Sequence, residues 1–242
     1  MKDPHTLNTH ISPFTVYLRE IVYGGSDGII TTFAVVAGFS GAQIDPAASS
    51  LPVLSVLLFG FANLFADATS MGLGNYLSVR ADQDVYHQEQ SLIMKKLSEN
   101  TESYTQVSSD ILQKKGFNKE DAHTITSIYA KNTNYWADFM TRNVMHMTDS
   151  RNENALLTSL ATFFAFIVFG CVPLLPYLLL QTTIQAHFLY SILSAIIALI
   201  LLGVLRWKVT NRNIMTCISE TLLIGGTSAL VAYGVGYMFQ WR

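Results

Sequence analysis

The sequence predicts an all-α integral membrane protein with five transmembrane helices and a small helical domain inserted between helices 2 and 3. Half of the 242 residues are hydrophobic and only 13% are charged, whereas a soluble domain carries about 25% charged residues. Twenty of the 32 charged residues lie between Arg80 and Glu153. The remainder is therefore nearly free of charge, as lipid-embedded helices require. This pattern excludes a disordered chain and a basic nucleic-acid binder.

Five apolar segments have the roughly 20 residues that a helix needs to cross the hydrocarbon core. We place the spans at residues 21–44, 51–79, 155–180, 184–205 and 214–241. Residues 1–20 form an N-terminal segment without the apolar region of a signal peptide, so we expect span 1 to be retained. The predicted organisation is therefore 1–20, helices 1 and 2 in 21–80, the inserted domain in 81–154, and helices 3–5 in 155–242.

The distribution of Lys and Arg supports five spans and predicts an orientation. With five spans, 14 of the 15 Lys and Arg residues fall on one side of the membrane, and Arg242 alone falls on the other. The positive-inside rule makes the first side cytoplasmic. We therefore expect an integral protein of the cell or vacuolar membrane, with a cytoplasmic N-terminus and an outer or lumenal C-terminus. The inserted domain is then cytoplasmic.

The inserted domain is predicted to be a small helical bundle. No Pro or Gly interrupts the chain between Asn75 and Glu99, so the helix of span 2 is expected to continue into the domain. Gly116 is expected to end a second helix, and Asn118 followed by Asp121 is typical of a helix N-terminus. A further helix is expected near 135–144. The apolar stripe on the first helix is predicted to contain Val85, Leu92, Ile93 and Leu97.

Two spans contain an aspartate, which is costly in lipid and usually functional. Asp27 lies on the same face of span 1 as Thr31, and Asp67 lies in span 2. Small and polar residues recur at helical spacing along one face of span 2, a pattern typical of a pore lining or a helix contact: Gly60, Asn63, Asp67, Ser70, Met71, Gly74 and Ser78. Each carboxylate is interpreted as an ion or proton site, with a structural, hydrogen-bonded carboxylate as the alternative.

Met71 and the two cysteines can also be explained as core residues without a functional role. Methionine usually fills a core, but one turn from Asp67 its thioether also suits a borderline metal such as Fe²⁺. Cys171 and Cys217 lie in apolar segments and are interpreted as core residues. Glu220 near the start of span 5 is expected to reach the interface, cap the helix or pair with Arg212.

Two blocks of sequence carry a specific family resemblance. Residues 19–42 read REIVYGGSDGIITTFAVVAGFSGA, and residues 59–82 read FGFANLFADATSMGLGNYLSVRAD. Both closely resemble the vacuolar iron transporter family, which includes the yeast calcium-cross-complementer and plant nodulin-like proteins. Residues 163–177, FFAFIVFGCVPLLPY, are similar to the third span of that family.

The resemblance implies a homodimer of five-span subunits whose pathway is lined by spans 1 and 2. It also implies export of Fe²⁺, and often Mn²⁺, from the cytosol in exchange for protons. By this resemblance Asp27 is the metal- and proton-binding aspartate of span 1, and Met71 is the methionine ligand of span 2. Asn63 stands where many members have a glutamate, and the carboxylate, Asp67, comes one turn later.

The resemblance also implies a metal-binding role for the inserted domain, but here the residues differ from the family pattern. Family members with this domain carry several glutamates on its first and third helices. Thr141 stands where one of them is expected. The candidate ligands of this chain are Asp84, His87, Glu89, Met140 and His146. Asp84 and His87 are spaced to share a metal, and a solvated helix face is the alternative.

We therefore predict a proton-coupled exporter of Fe²⁺ and Mn²⁺ that is not an enzyme. The expected partners are a second subunit, the bilayer, metal ions and protons, without nucleic acid. No cofactor is expected, because the metal is the substrate and no phosphate-binding G-x-x-x-x-G-K-[ST] motif occurs. A diiron enzyme would need paired Glu-x-x-His motifs, which the sequence lacks. A passive cation channel and a metal-binding membrane protein without transport are the alternatives.

Overall fold

The computed structural model describes residues 13–41, 51–210 and 212–239, and every regular element in these residues is helical. A short turn, α1 (Pro13–Val16), precedes the first long helix. The remaining helices are α2 (Leu18–Gly41), α3 (Leu51–Glu99), α4 (Thr101–Lys114), α5 (Lys119–Tyr129), α6 (Thr133–Val144), α7 (Ala155–Cys171), α8 (Leu175–Leu179), α9 (Ile184–Thr210) and α10 (Ile214–Phe239).

Among the residues that the structure describes, five helical segments are long and apolar enough to cross a membrane, which confirms the predicted all-α membrane fold. They are Leu18–Gly41, Val53–Glu99, Ala155–Leu179, Gln185–Thr210 and Ile214–Met238. The predicted spans agree with them to within a few residues, except that α3 runs far beyond span 2 as one helix. Residues 42–44 and 240–241 of the predicted spans lie outside the described residues.

The chain divides into two compact units, one comprising residues 1–76 with 156–242 and the other Leu77–Ala155. We call them the membrane unit and the helical unit. In the membrane unit the largest buried cluster combines side chains of α2, α3, α8 and α9 with Leu174. Ile29, Phe33 and Val36 supply the α2 side of this core. A helix with such a wide apolar face is typically enclosed by its neighbours.

Glycines of α2 let the neighbouring helices approach its backbone. A Cβ at Gly24 would lie 2.6 Å from the carbonyl oxygen of Thr162, and one at Gly28 would collide with the carbonyl of Phe166. Both carbonyls belong to α7. Small residues commonly permit such contacts between membrane helices. Gly24 and Gly28 therefore face α7.

Span 3 is not one straight helix. A 3₁₀ turn over Val172–Leu174 separates α7 from α8, and Pro173 and Pro176 lie at this break. Proline has no backbone N–H and disrupts the regular helical hydrogen bonds. The hydroxyl of Ser191 on α9 donates a 2.7 Å hydrogen bond to the carbonyl of Pro173. A side chain of the next span therefore satisfies a backbone carbonyl at the break.

The helical unit has its own core, formed mainly by α3 and α6. Ile93, Leu97, Trp136 and Met140 are buried together. The indole of Trp136 donates a 2.8 Å hydrogen bond to Ser108 on α4. The predicted stripe on α3 was wrong at Val85 and Leu92, which are 49% and 43% exposed. The buried positions are Val79, Tyr86, Ile93 and Leu97.

The predicted helix N-terminus at Asn118 is confirmed. The Asn118 carbonyl oxygen Oδ1 accepts a 2.7 Å hydrogen bond from the Asp121 backbone N–H. In return, the Asn118 amide donates to the Asp121 carboxylate, also at 2.7 Å. The first bond satisfies a backbone donor that a helix terminus otherwise leaves unpaired, and the second connects the two side chains. Gly116 ends the preceding helix region with a φ of +103°, a conformation that glycine adopts readily.

A group of two arginines and two aspartates stabilises the segment that leaves α6. Arg142 contacts Asp138 at 2.6 Å and Asp149 at 2.7 Å. Arg151 contacts the same two carboxylates at 2.5 and 2.8 Å, and its guanidinium lies over the ring of Tyr86. The hydrogen bonds from Arg151 lower the pKa of Asp149 to about 2. The charged form of this carboxylate is therefore favoured in the folded unit.

The partner of Glu220 differs from the one that the sequence suggested. Glu220 on α10 pairs with Arg206 on α9, at 2.6 Å, and not with Arg212. Arg206 lies in the last turns of α9, so its side chain reaches the start of the following helix. The pair connects α9 and α10 near their shared turn.

Candidate metal and proton site

The membrane unit carries two aspartates on different helices. Asp27 on α2 and Asp67 on α3 are both half-buried, and they are close enough to repel each other electrostatically. Neither belongs to an ion pair within the described residues. Two partly desolvated negative charges without a basic partner are unfavourable in a membrane helix. A bound cation or proton would relieve this repulsion.

Asn63 orients one of these carboxylates. Its side-chain amide donates a 2.7 Å hydrogen bond to Oδ2 of Asp67, one turn further along α3. A hydrogen bond to a carboxylate fixes its rotamer and leaves the other oxygen for a further ligand. Asn63 and Asp67 were predicted to share a face, and the structure brings them into direct contact.

Met71 and Thr31, the other predicted ligands, both have contacts within the chain. Met71 is half-buried and packs against a cluster of Leu64, Ala68 and Phe166. The Thr31 hydroxyl donates a 2.8 Å hydrogen bond to the backbone carbonyl of Asp27. Threonine commonly makes this bond within a helix, and its oxygen retains the capacity to accept. Both side chains lie one turn along the helix from a predicted carboxylate.

The face of α3 that carries Asp67 differs in part from the prediction. Gly60, two turns before Asp67, lies on nearly the same helical line, but it is buried, and a Cβ there would collide with the side chain of Leu174. Gly60, Leu64, Ala68 and Gly72 form a buried line at four-residue spacing. Ser70 and Gly74, which follow Asp67, are exposed in the single chain. A polar line that is exposed in lipid requires a protein or aqueous neighbour.

A cavity of about 840 Å³ lies beside Asn63 in the membrane unit. Its walls come from α2, α3 and α10, and apart from Asn63 its lining is apolar and mostly small: Ala34, Val35, Gly38, Phe39, Phe59, Ala62, Ala66, Ala232, Val235 and Gly236. The small side chains of α2 and α3 therefore leave open space next to the Asn63–Asp67 pair.

The sequence interpretation missed Glu20 as a site residue. Glu20 lies at the start of α2 and is only 7% exposed, and no described residue forms an ion pair with it. It precedes Asp27 by seven residues, about two helical turns, so both project from nearly the same line of α2. In the sequence, Glu20 could have been recognised as a carboxylate on the same helical line as Asp27. It was not considered because the predicted span began at residue 21, one residue after it.

The candidate ligands of the helical unit are not brought together. Within the described ranges, no three His, Cys, Asp or Glu residues are placed to hold a metal. Asp84 and His87 are exposed on α3, and Glu89 is half-buried. Met140 lies in the core, 1% exposed, where its sulfur accepts a hydrogen bond from Ser108. His146 is exposed, with a φ of +53°, in the turn after α6.

Comparison with known proteins identifies the family to which this chain is similar. The model of the VIT family matches residues 18–237. The chain is 29% identical to vacuolar iron transporter 2 of Oryza sativa subsp. japonica, over 98% of this chain and 93% of that protein. It is also 29% identical to vacuolar iron transporter 1 of Arabidopsis thaliana, over 92% and 86% of the two chains.

A relative from outside the plants is similar to this chain to the same degree. The vacuolar iron transporter of Plasmodium falciparum is 29% identical over 92% of this chain and 82% of its own length. The similarity therefore extends through all five spans and the helical unit between them. Since the family model covers nearly the whole described fold, the chain belongs to the VIT family.

Proposed function

We propose that this protein is a proton-coupled transporter that exports Fe²⁺, and also Mn²⁺, from the cytosol to a vacuole or the outside. The observation that carries the proposal is the presence of two half-buried carboxylates, Asp27 and Asp67, in the membrane unit without an ion-pair partner among the described residues. The names of the relatives as iron transporters support a transition metal as the substrate. Carboxylate oxygens together with the Met71 sulfur suit such a borderline metal.

The carboxylate pair also supports coupling to protons. Ionised carboxylates bind a divalent cation, and protonation removes the charge on which that binding depends. Metal and protons would therefore compete for the same two groups. An acidic receiving compartment would favour release of the metal, and the protons bound there would return with the empty site.

Glu20 extends the proposed route toward the end of α2 where that helix begins. It is buried on the helical line of Asp27, and no described basic residue forms an ion pair with it, so it would supply a first carboxylate for an entering cation. In the predicted orientation this end of α2 is cytosolic. The metal would then pass from Glu20 to the Asp27–Asp67 pair.

A homodimer would complete the site. One chain offers two carboxylates and one thioether, fewer than the six ligands that Mn²⁺ prefers. The exposed line of Ser70 and Gly74 beside Asp67 also needs a neighbour in the membrane. A second copy related by a two-fold axis would double the ligands and cover this line.

The test is metal flux into proteoliposomes with an acidic or a neutral lumen. We expect Fe²⁺ and Mn²⁺ uptake to rise with the proton gradient, accompanied by proton efflux, and to be lost in Asp27→Asn and in Asp67→Asn. Asp110→Asn is the matched control, because Asp110 is exposed on α4 and hydrogen-bonds only to Gln106 among its described neighbours. Glu20→Gln is expected to raise the metal concentration needed for half-maximal flux.

Two outcomes would contradict the proposal. Flux of the same size with and without the gradient, in wild type and control, would indicate a passive channel. Binding of metal without flux, in protein that is folded and dimeric, would indicate a metal-binding protein that does not transport.

A further inference from the structure

The connection between α9 and α10 carries a basic surface that the proposed export route does not use. Residues 205–219 include Arg206, Lys208 and Arg212 but no Asp or Glu. Arg206 is paired with Glu220 at 2.6 Å. Lys208 and Arg212 are exposed, and no described residue forms an ion pair with either of them. Two positive charges without a described acidic partner are therefore accessible at this end of the membrane unit.

Lys208 ends a line of apolar side chains along α9. It follows Leu201 by seven residues and Ile197 by eleven, so the three side chains project from nearly the same line of the helix. Leu201 and Ile197 are both exposed, and they belong to a segment that is long and apolar enough to span a membrane. This line of α9 is therefore suited to contact lipid chains, and the charge of Lys208 lies where it ends.

Trp207 lies at the same end of α9. It precedes the end of the span Gln185–Thr210 by three residues, and it is 39% exposed. Tryptophan is enriched where a membrane meets water, because its ring is apolar and its indole N–H donates hydrogen bonds. An exposed tryptophan next to Lys208 therefore combines an apolar contact, a hydrogen-bond donor and a positive charge at the expected level of the lipid headgroups.

We infer that Trp207, Lys208 and Arg212 form a binding site for an anionic phospholipid, the headgroup site. Lys208 and Arg212 donate charge-assisted hydrogen bonds to the lipid phosphate, and an acyl chain lies along the exposed apolar line of α9. A zwitterionic lipid has the same phosphate with a compensating cation, so the two basic side chains favour a lipid of net negative charge. Asn211, which precedes Arg212, lies outside the described residues and is not part of the site.

A lipid fits this surface better than a free phosphate ion. An inorganic anion would use only the two charges, whereas a phospholipid also contacts Trp207 and the apolar line that leads to Lys208. In the predicted orientation the site faces the cytosolic leaflet, where anionic lipids attract basic segments next to membrane spans.

The test identifies the lipid next to Trp207 by the quenching of its fluorescence with brominated acyl chains. The full-length Trp241→Phe protein is placed in vesicles of phosphatidylcholine and phosphatidylglycerol, with one of the two lipids brominated. The same protein with Trp207→Phe gives the signal of Trp136, which is subtracted. We expect phosphatidylglycerol to be favoured by about fivefold or more, since each basic residue near an anionic surface contributes about fivefold.

Lys208→Gln together with Arg212→Gln is expected to bring the preference close to one, and Lys208→Arg should retain it. Lys114→Gln together with Lys119→Gln is the matched control, because it removes the same charge from the helical unit. Both control lysines are exposed and have no ion-pair partner among the described residues. Salt at about 0.5 M should weaken the preference, as it screens exposed charges.

Four outcomes would overturn the inference. Equal quenching by the two lipids in the parent protein would show no preference, and an unchanged preference in the Lys208 and Arg212 double variant would place it elsewhere. Quenching by neither lipid would assign this face of α9 to a protein neighbour. Displacement of the brominated lipid by inorganic phosphate would indicate a site for the free anion. No readout requires metal or transport, so failure of the proposed export function is distinguishable from failure of this inference.

Discussion

The side-chain amide of Asn63 donates a 2.7 Å hydrogen bond to the carboxylate of Asp67, one turn further along α3. The bond selects one orientation of Asp67 beside Asp27 and leaves the second carboxylate oxygen for another ligand. Asn63 is therefore a positioning residue for the proposed metal site.

Asn63→Ala is expected to weaken metal binding by about 10–100-fold, the usual effect of removing a group that orients a ligand. Maximal flux should change less than the metal concentration for half-maximal flux. Gln106→Ala is the matched control, because Gln106 and Asp110 form the same amide–carboxylate pair on the surface of α4. Equal effects of the two substitutions would contradict the positioning role.

Gly28→Ala is expected to destabilise the membrane unit, because the added methyl group collides with the backbone carbonyl of Phe166. Backbone atoms cannot move aside as a flexible side chain can, so the overpacking cost should be about 1–3 kcal/mol. Thermal unfolding in detergent measures the effect. Gly226→Ala on α10 meets no atom within 4 Å and should leave the melting temperature nearly unchanged.

Met140→Leu is expected to leave Fe²⁺ transport and metal binding unchanged. The residue is in the core of the helical unit, and a swap of similar volume usually costs less than about 1.5 kcal/mol. Met140→Ala should destabilise the unit by about 2–5 kcal/mol. Isothermal titration with Mn²⁺ and thermal unfolding separate the two effects. A loss of metal binding in the stable leucine variant would restore Met140 as a ligand.

The helical unit should lose stability in acid through Asp149. Its pKa is about 2 in the folded protein, against an ordinary value of 3.8, because Arg151 donates hydrogen bonds to it. The stabilisation is complete above about pH 4 and is lost as the pH falls toward 2. Asp149→Asn removes it at neutral pH, at a cost of about 1 kcal/mol after allowance for solvent screening.

Trp136 fluorescence in a Trp207→Phe, Trp241→Phe background follows this unit during urea unfolding. We expect the difference between wild type and Asp149→Asn to shrink between about pH 4 and about pH 2. Asp110→Asn is the control for loss of a surface carboxylate. A difference that stays constant over that range would show that Asp149 does not contribute through its charge.

The membrane fold was predictable because hydrocarbon imposes length and apolarity on each helix, and both are visible in sequence. The Asn118 cap was predictable for a related reason, since its partner lies three residues away. Burial on α3 was harder to predict: Tyr86 is buried in place of Val85 because Asp138 satisfies its hydroxyl. That partner is 52 residues distant in sequence.

The candidate site was predictable in its components but not in its arrangement. Asp27 and Asp67 stood out because charge is rare in a span, and in the structure both are half-buried in the membrane unit. Glu20 was missed because its burial depends on neighbouring helices and not on its own segment. The partner of Glu220, Arg206 rather than Arg212, likewise depended on how α9 and α10 pack.

The hydrogen bond from Ser191 to the carbonyl of Pro173 is expected to couple the evolution of two positions in different spans. While the proline break is present, the hydroxyl keeps the carbonyl of Pro173 satisfied within a segment that is apolar enough to span a membrane. A lineage that straightens span 3 no longer needs this hydroxyl, and one that loses the hydroxyl first carries an unsatisfied carbonyl. Substitution at these two positions is therefore expected to be correlated, with the proline changing before the serine.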